Sequence, residues 1–139
     1  MIDLAKTAEP YEIPLYGDRI VLTVKPVTTA SFYACQTAAD KRLTTLKENL
    51  ESLSDTQFYD GVEIDLDDEA AMSGINQAFF IKELACRHII DWRGVVYKGQ
   101  PAELNEKTIG ALISQSELGR RFFEEITARN IALILAKKE

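Results

Sequence analysis

Seven apolar residues recur at intervals of three and four along one stretch: Phe32, Cys35, Ala39, Leu43, Leu46, Leu50 and Leu53. On an α-helix that spacing holds all seven on one stripe. The stretch predicts a helix from about residue 29 to 53, roughly 37 Å long at 1.5 Å per residue. Asp40, Lys41, Lys47, Glu48 and Glu51 fall on the opposite face. A stripe of that length has to be covered along its run. In a chain of 139 residues the rest of the same chain is the expected cover, ahead of a coiled-coil partner.

The flanking segments supply that cover. Tyr-Glu-Ile-Pro-Leu-Tyr at 11–16, the turn pair Gly17-Asp18 and the β-branched run Arg19 to Lys25 predict a β-hairpin. Pro14 has no N–H to give, so its strand is expected at an edge. Thr28 or Thr29 can cap the long helix. Ser54-Asp55 can begin a short helical turn through Phe58 and Tyr59, broken at Gly61. A second helix is expected over Ala70–Asp91, capped by Asp67 or Asp68, with Ile75, Ala78, Phe79, Ala85, Cys86, Ile89 and Trp92 on its buried side. Val95–Tyr97 reads as a short strand and Lys98–Pro101 as a turn. Asn105 can cap a helix over Glu106–Ser114, and Ser116 a last helix over Glu117 to about Lys137. The expected architecture is mainly α (α+β): about four helices with a small N-terminal β-hairpin. It forms one domain over 1–139, with residues 1–10 a flexible arm and 54–69 an acidic loop.

Charge narrows the function. The chain carries a net charge of −6, and residues 51–69 hold eight acids and no base. Outside that segment sixteen bases face fourteen acids, a net of +2. A duplex DNA binder displaces counterions from phosphate with a basic face. Arg120, Arg121 and Arg129 stand among Glu117, Glu124 and Glu125 instead, so no nucleic-acid partner is expected. No apolar run approaches about 18 residues, so no membrane span is expected. Cys35 and Cys86 lie far apart in helical patterns and read as free thiols of a reducing compartment.

The same residues offer little to catalysis or metal binding. His88 is the single histidine. Cys86 sits two residues before it, and positions i and i+2 of a helix do not share a face. A zinc site takes about four N or S ligands, more than this chain holds. Counted from Asp65, the acidic run puts Ala70 where a calcium loop needs glycine and Asn76 where it needs glutamate. The seven glycines stand singly, with no phosphate-binding loop. No catalytic residue, metal site or cofactor is expected. An enzyme built by tertiary contact around His88, Cys86 and the acidic loop stays as the rival reading.

One run of the final helix stands apart: Ile131-Ala-Leu-Ile-Leu-Ala136 is apolar all round. Such a helix end is covered by its own fold or by a partner. Ile131, Leu133, Ile134 and Leu135, with Phe122 and Phe123 adjoining and Trp92 at the other helix end, form the candidate partner-binding set. The alternative for the same residues is internal packing. If the run is not covered internally, a homo-oligomer through Ile131–Ala136 is expected.

The stretch from Ala85 to Ser114 is the most individual part of the chain. A helix leads into Trp92-x-Gly94-Val95, a Gly99-x-Pro101 turn follows, and a short helix starts near Asn105. Leu118 to Glu125 and a long last helix come after it. Val24 to Ala38 supplies a matching strand-to-helix entry. This arrangement resembles the tail assembly chaperones of long-tailed bacteriophages and prophages over about two-thirds of the chain. The resemblance implies a mostly helical, non-enzymatic protein of the host bacterial cytoplasm. Such proteins bind the tape measure protein, keep it soluble, help recruit the tail-tube protein and are absent from the finished particle. It also implies a longer frameshifted form, and Lys137-Lys138 can be encoded by an A-rich slippery run. The acidic segment at 54–69 has no counterpart in the resemblance. The alternative within virion assembly is a head–tail connector or another morphogenesis protein that stays in the particle.

Overall fold

The computed structural model describes the backbone of residues 3–52, 58–59, 62–63 and 65–136, and side chains within 3–49 and 65–128. The chain order is α1 (Leu4–Thr7), β1 (Tyr11–Leu15), β2 (Ile20–Val24), α2 (Thr29–Ser52), β3 (Phe58–Tyr59), β4 (Val62–Glu63), α3 (Glu69–His88), β5 (Ile89–Arg93), β6 (Val96–Tyr97), β7 (Gln100–Pro101), α4 (Glu106–Ile113) and α5 (Ser116–Ala136). The architecture is mainly α with a small antiparallel sheet near the N-terminus, as the sequence leads one to expect. Among the described residues no helix is long and apolar enough to cross a membrane. The first ten residues contain one helical turn, α1, which Asp3 caps by accepting from the Ala5 N–H at 3.0 Å.

β1 and β2 form the expected hairpin, with Leu15 opposite Ile20 and Tyr11 opposite Val24. Ile13 and Leu15 point into the core while Glu12 and Pro14 face out, the alternation of a half-covered strand. β1 is an outer strand, so Pro14 sits at an edge. The hairpin gains a third strand. β5 pairs antiparallel with the other side of β2, Leu22 facing Trp92 and Val24 facing Ile89. Residues 89–91 therefore do not continue the second helix, which ends at His88. The apolar positions Ala85, Cys86, Ile89, Ile90 and Trp92 do not settle the period. β2 would otherwise present an open row of N–H and C=O groups, and β-branched Ile89 and Ile90 suit a strand.

A second correction falls in the acidic stretch. Phe58–Tyr59 pairs with Val62–Glu63 as a short hairpin, not a helical turn. Aromatic and β-branched residues favour extended backbone, and Gly61 falls between the strands. Most of the acidic loop at 54–69 lies outside the described residues. β6 and β7 make a third ladder, turning through Lys98 (φ 52°) and Gly99 (φ 79°).

α2, α3 and α4 start where the caps predict, whereas α5 begins at Ser116 itself, the Gln115 carbonyl accepting from the Gly119 N–H at 2.9 Å, so Ser116 is its first residue and not its cap. Thr28 Oγ1 accepts from the Ser31 N–H at 3.1 Å while Ser31 Oγ accepts from the Thr28 N–H at 3.0 Å, a reciprocal cap for α2. Asp68 accepts from the N–H groups of Ala70 and Ala71 at the head of α3. Asn105 and Thr108 close a capping box on α4. α2 and α3 pack antiparallel: Phe32 meets Phe80 edge-on with ring centroids 5.2 Å apart, Asp40 accepts from the Asn76 side-chain amide, and Leu43 and Leu46 meet Met72. One apolar core fills the space between sheet and helices. Ile13, Leu15, Leu22 and Val24 supply its sheet side; Cys35, Leu84, Ile109 and Phe122 represent the four longer helices.

Candidate functional site

α3 lies with α2 on one flank and α4 and the first turns of α5 on the other. Its inner residues, Phe80, Leu84 and Ala85, are buried in the core. Gly74 and Ala78, both exposed, and the half-buried Ile81 line an open groove of about 1670 Å³, and the same row runs on to Ala85 inside the core. Ala78 is exposed there, on the solvent side of α3 and not on the buried side that its spacing suggested. Leu46 stands on the α2 wall, and Phe123 on the α5 wall.

An ionic bracket fixes one part of that wall. Glu83 of α3 is buried to 8 % exposure. Its carboxylate accepts from Arg42 Nε of α2 at 2.7 Å and from Arg87 Nε at 3.3 Å. Arg42 also reaches Glu106 of α4 at 3.4 Å. A buried carboxylate needs such partners, since desolvation penalises its charge. The consequence is that α2, α3 and α4 are tied at one level. On the far wall Arg120 holds Glu117 at 2.6 Å and Glu124 at 2.7 Å. Lys41, Lys82 and Lys107 also line the groove. None of the three makes an ion pair among the described residues.

The expected partner-binding residues divide. Phe122 has 0 % exposure and belongs to the core. Phe123, one residue on, is half-buried; its ring lies 5.8 Å from that of Phe80, and it lines the groove. Trp92 is half-buried in β5, and its Nε1–H donates to the Ala102 carbonyl at 3.0 Å. That bond ties the third strand to the segment leading into α4. Ile131, Leu133, Ile134 and Leu135 fall on α5, which runs on through Ala136, but their side chains lie outside the described residues. Sequence reasoning missed the three lysines and the α3 row. The available signal was the apolar arc of the second helix, too wide for one face, with Gly74 and Ala78 four apart within it.

His88 and the two cysteines bear on the enzyme alternative. His88 is buried to 2 % exposure, at the junction of α3 and β5. Its Nδ1 lies 3.0 Å from the Lys25 carbonyl, and its backbone carbonyl accepts from the Lys25 N–H at 2.9 Å. Nδ1 therefore carries the proton, and Nε2 is buried without a hydrogen-bond partner. Cys35 and Cys86 are free thiols, the first buried and the second half-buried. Burial pushes both thiols up from their usual range, the opposite of what activates a nucleophile. Among the described residues no group of three or more His, Cys, Asp or Glu side chains could hold a metal ion.

The buried imidazole has a measurable consequence. Burial holds the His88 pKa below its usual value, against the Lys25 carbonyl bond that favours the charged form; the Lys25 and Arg87 charges push it down further. The unfolded chain takes up a proton near pH 6.5 that the folded chain still refuses. Stability is therefore expected to fall as pH drops from 7 toward 5, at no more than about 1.4 kcal/mol per pH unit from this one group. Urea midpoints at pH 7 and pH 5, for the protein and for His88→Leu, check this. The variant is expected to lose part of the pH dependence; equal slopes would contradict it.

No protein-family model, curated protein or solved structure matches the chain. The functional reading therefore rests on the groove, its charges and the resemblance carried by Ala85–Ser114.

Proposed function

We propose that this chain is a tail assembly chaperone of a long-tailed phage or prophage. It binds the tape measure protein in the host bacterial cytoplasm, keeps it soluble and assists tail-tube assembly, without catalysis. The observation that carries the reading is the open groove between α2, α3, α4 and α5. Small-molecule sites are typically about 300–1,000 Å³ and enclose their ligand; this groove is larger and open along its length. An apolar floor beside charged walls is the surface a holding protein needs, since it must cover apolar segments and remain in solution itself. The Trp92-x-Gly94 and Gly99-x-Pro101 arrangement that carries the resemblance adds independent support, because it lies in β5–β7 and not in the groove.

The test is co-expression with a tape measure protein from the same genome. The tape measure protein is expected in the soluble fraction with the chain present and in the pellet without it. The same partition in both cases contradicts the reading.

A further inference from the structure

We propose that the groove seats an acidic amphipathic helix of the partner, apolar face down on α3 and carboxylates toward the lysine rim. The inference deepens the chaperone reading and rests on it only for the identity of the partner.

Three observations select this occupant. The first is the shape of the floor. Gly74, Ala78 and Ile81 stand at i, i+4 and i+7, so they form one row along α3. Nothing lies within 4 Å of where a Gly74 Cβ would stand. Gly74 and the exposed Ala78 are small, and with open space above Gly74 they leave a furrow, closed at one end by the half-buried Ile81, into which the side-chain ridge of another helix can pack.

The second is the charge of the walls. Glu106 and Glu124 are the carboxylates lining the groove, and both are held by arginines, Arg42 and Arg120. The ammonium groups of Lys41, Lys82 and Lys107 are left over. With each ion-pair cluster counted whole, Arg42, Arg87, Arg120 and the three lysines face Glu83, Glu106, Glu117 and Glu124, a local excess of two positive charges that attracts an acidic partner and repels a basic one.

The third is how two lysines are held. Gly110 of α4 leaves room for the Lys82 stem, whose Cε lies 3.1 Å from where a Gly110 Cβ would be. The stem and its ammonium, whose Nζ is 3.5 Å from the same point, lie along α4, so the charge is held beside the α4 wall. The Lys107 ammonium lies 5.9 Å from the centre of the Tyr97 ring, a contact that orients the charge without neutralising it. A nucleic acid fits less well. Three free cations neutralise few phosphates, and the aromatic rings here, Phe79 and Phe123, are buried or half-buried and not open stacking platforms.

The experiment measures fluorescence anisotropy with three labelled probes. They are an amphipathic peptide of about 20 residues with leucines on one face and glutamates on the other, its lysine counterpart, and a single-stranded oligonucleotide. The acidic peptide is expected to bind, and to bind more weakly as salt is added. Binding is expected to drop about tenfold or more in Lys41→Glu/Lys82→Glu/Lys107→Glu. Ala78→Trp, which fills the furrow without altering charge, is expected to weaken it too; urea unfolding of both variants confirms that they are folded. Equal binding of the lysine peptide or of the oligonucleotide would overturn the proposal, as would an unchanged affinity in the folded charge variant. The co-expression separates the two claims. A charge variant that keeps the tape measure protein as soluble as the unaltered chain does overturns the groove and leaves the chaperone reading standing. An unaltered chain that fails to keep it soluble contradicts the chaperone reading, whatever the peptides show.

Discussion

Phe122→Ala is expected to cost about 3–5 kcal/mol, a large share of the roughly 5–15 kcal/mol that holds a typical domain folded. Phe122 has 0 % exposure and is the largest fully buried side chain among the described residues. With Leu118 and Ile126 it forms the i, i+4, i+8 row that docks α5 on the core. Truncating the ring removes its transfer free energy and leaves a void that close-packed neighbours fill only in part. Phe122→Leu keeps most of the volume and is expected to cost under about 2 kcal/mol. Urea unfolding of both variants reads the two values. A loss under about 1 kcal/mol for the alanine variant would mean that α5 is not docked through this residue. Partner binding by Phe122→Ala then has to be judged at a temperature where the variant is folded, because this residue acts beneath the groove, while Phe123 faces it.

Gly94→Ala is expected to do comparable damage from the sheet side. Gly94 follows β5 with φ +84°, and a Cβ there would stand 1.8 Å from the Arg19 carbonyl oxygen and 2.9 Å from its carbon. Those are backbone atoms at the start of β2, so no rotamer change relieves the collision. An L-residue at positive φ costs about 1–2 kcal/mol by itself. Separating β5 from β2 breaks ladder hydrogen bonds as well, and the total is expected at about 3 kcal/mol or more. Gly99→Ala is the matched control: its φ is +79°, but nothing lies within 4 Å of the added carbon. It is expected to cost only the conformational term. Equal losses at the two positions would contradict the close approach of the Arg19 carbonyl.

These two sites also mark how far the sequence could be read. The α2 stripe, the hairpin, the edge position of Pro14 and the caps at Thr28, Asp68 and Asn105 are local. Each follows from spacing or from one side chain reaching its neighbours' N–H groups, and each was legible. β5 was not. Ile89–Arg93 is extended because β2, far earlier in the chain, has an open edge to fill; no local pattern carries that information. The burial of His88 has the same origin, since pairing with the Lys25 backbone draws it fully inside. The groove was hidden by a related ambiguity. Gly74 read as an isolated breaker and Ala78 as core, and only the placement of α2 and α4 on either flank of α3 leaves that row uncovered. Lys41 and Lys82 come from different helices, and their convergence on one groove is a property of packing.

The central claim is that this chain holds a helical partner in solution. The most direct measurement is the partition of the tape measure protein between supernatant and pellet, with the chain co-expressed, with it omitted, and with the Lys41→Glu/Lys82→Glu/Lys107→Glu variant in its place. The account predicts mostly supernatant with the unaltered chain, and mostly pellet in its absence and with the folded variant. A tape measure protein that pellets equally in all three would contradict it.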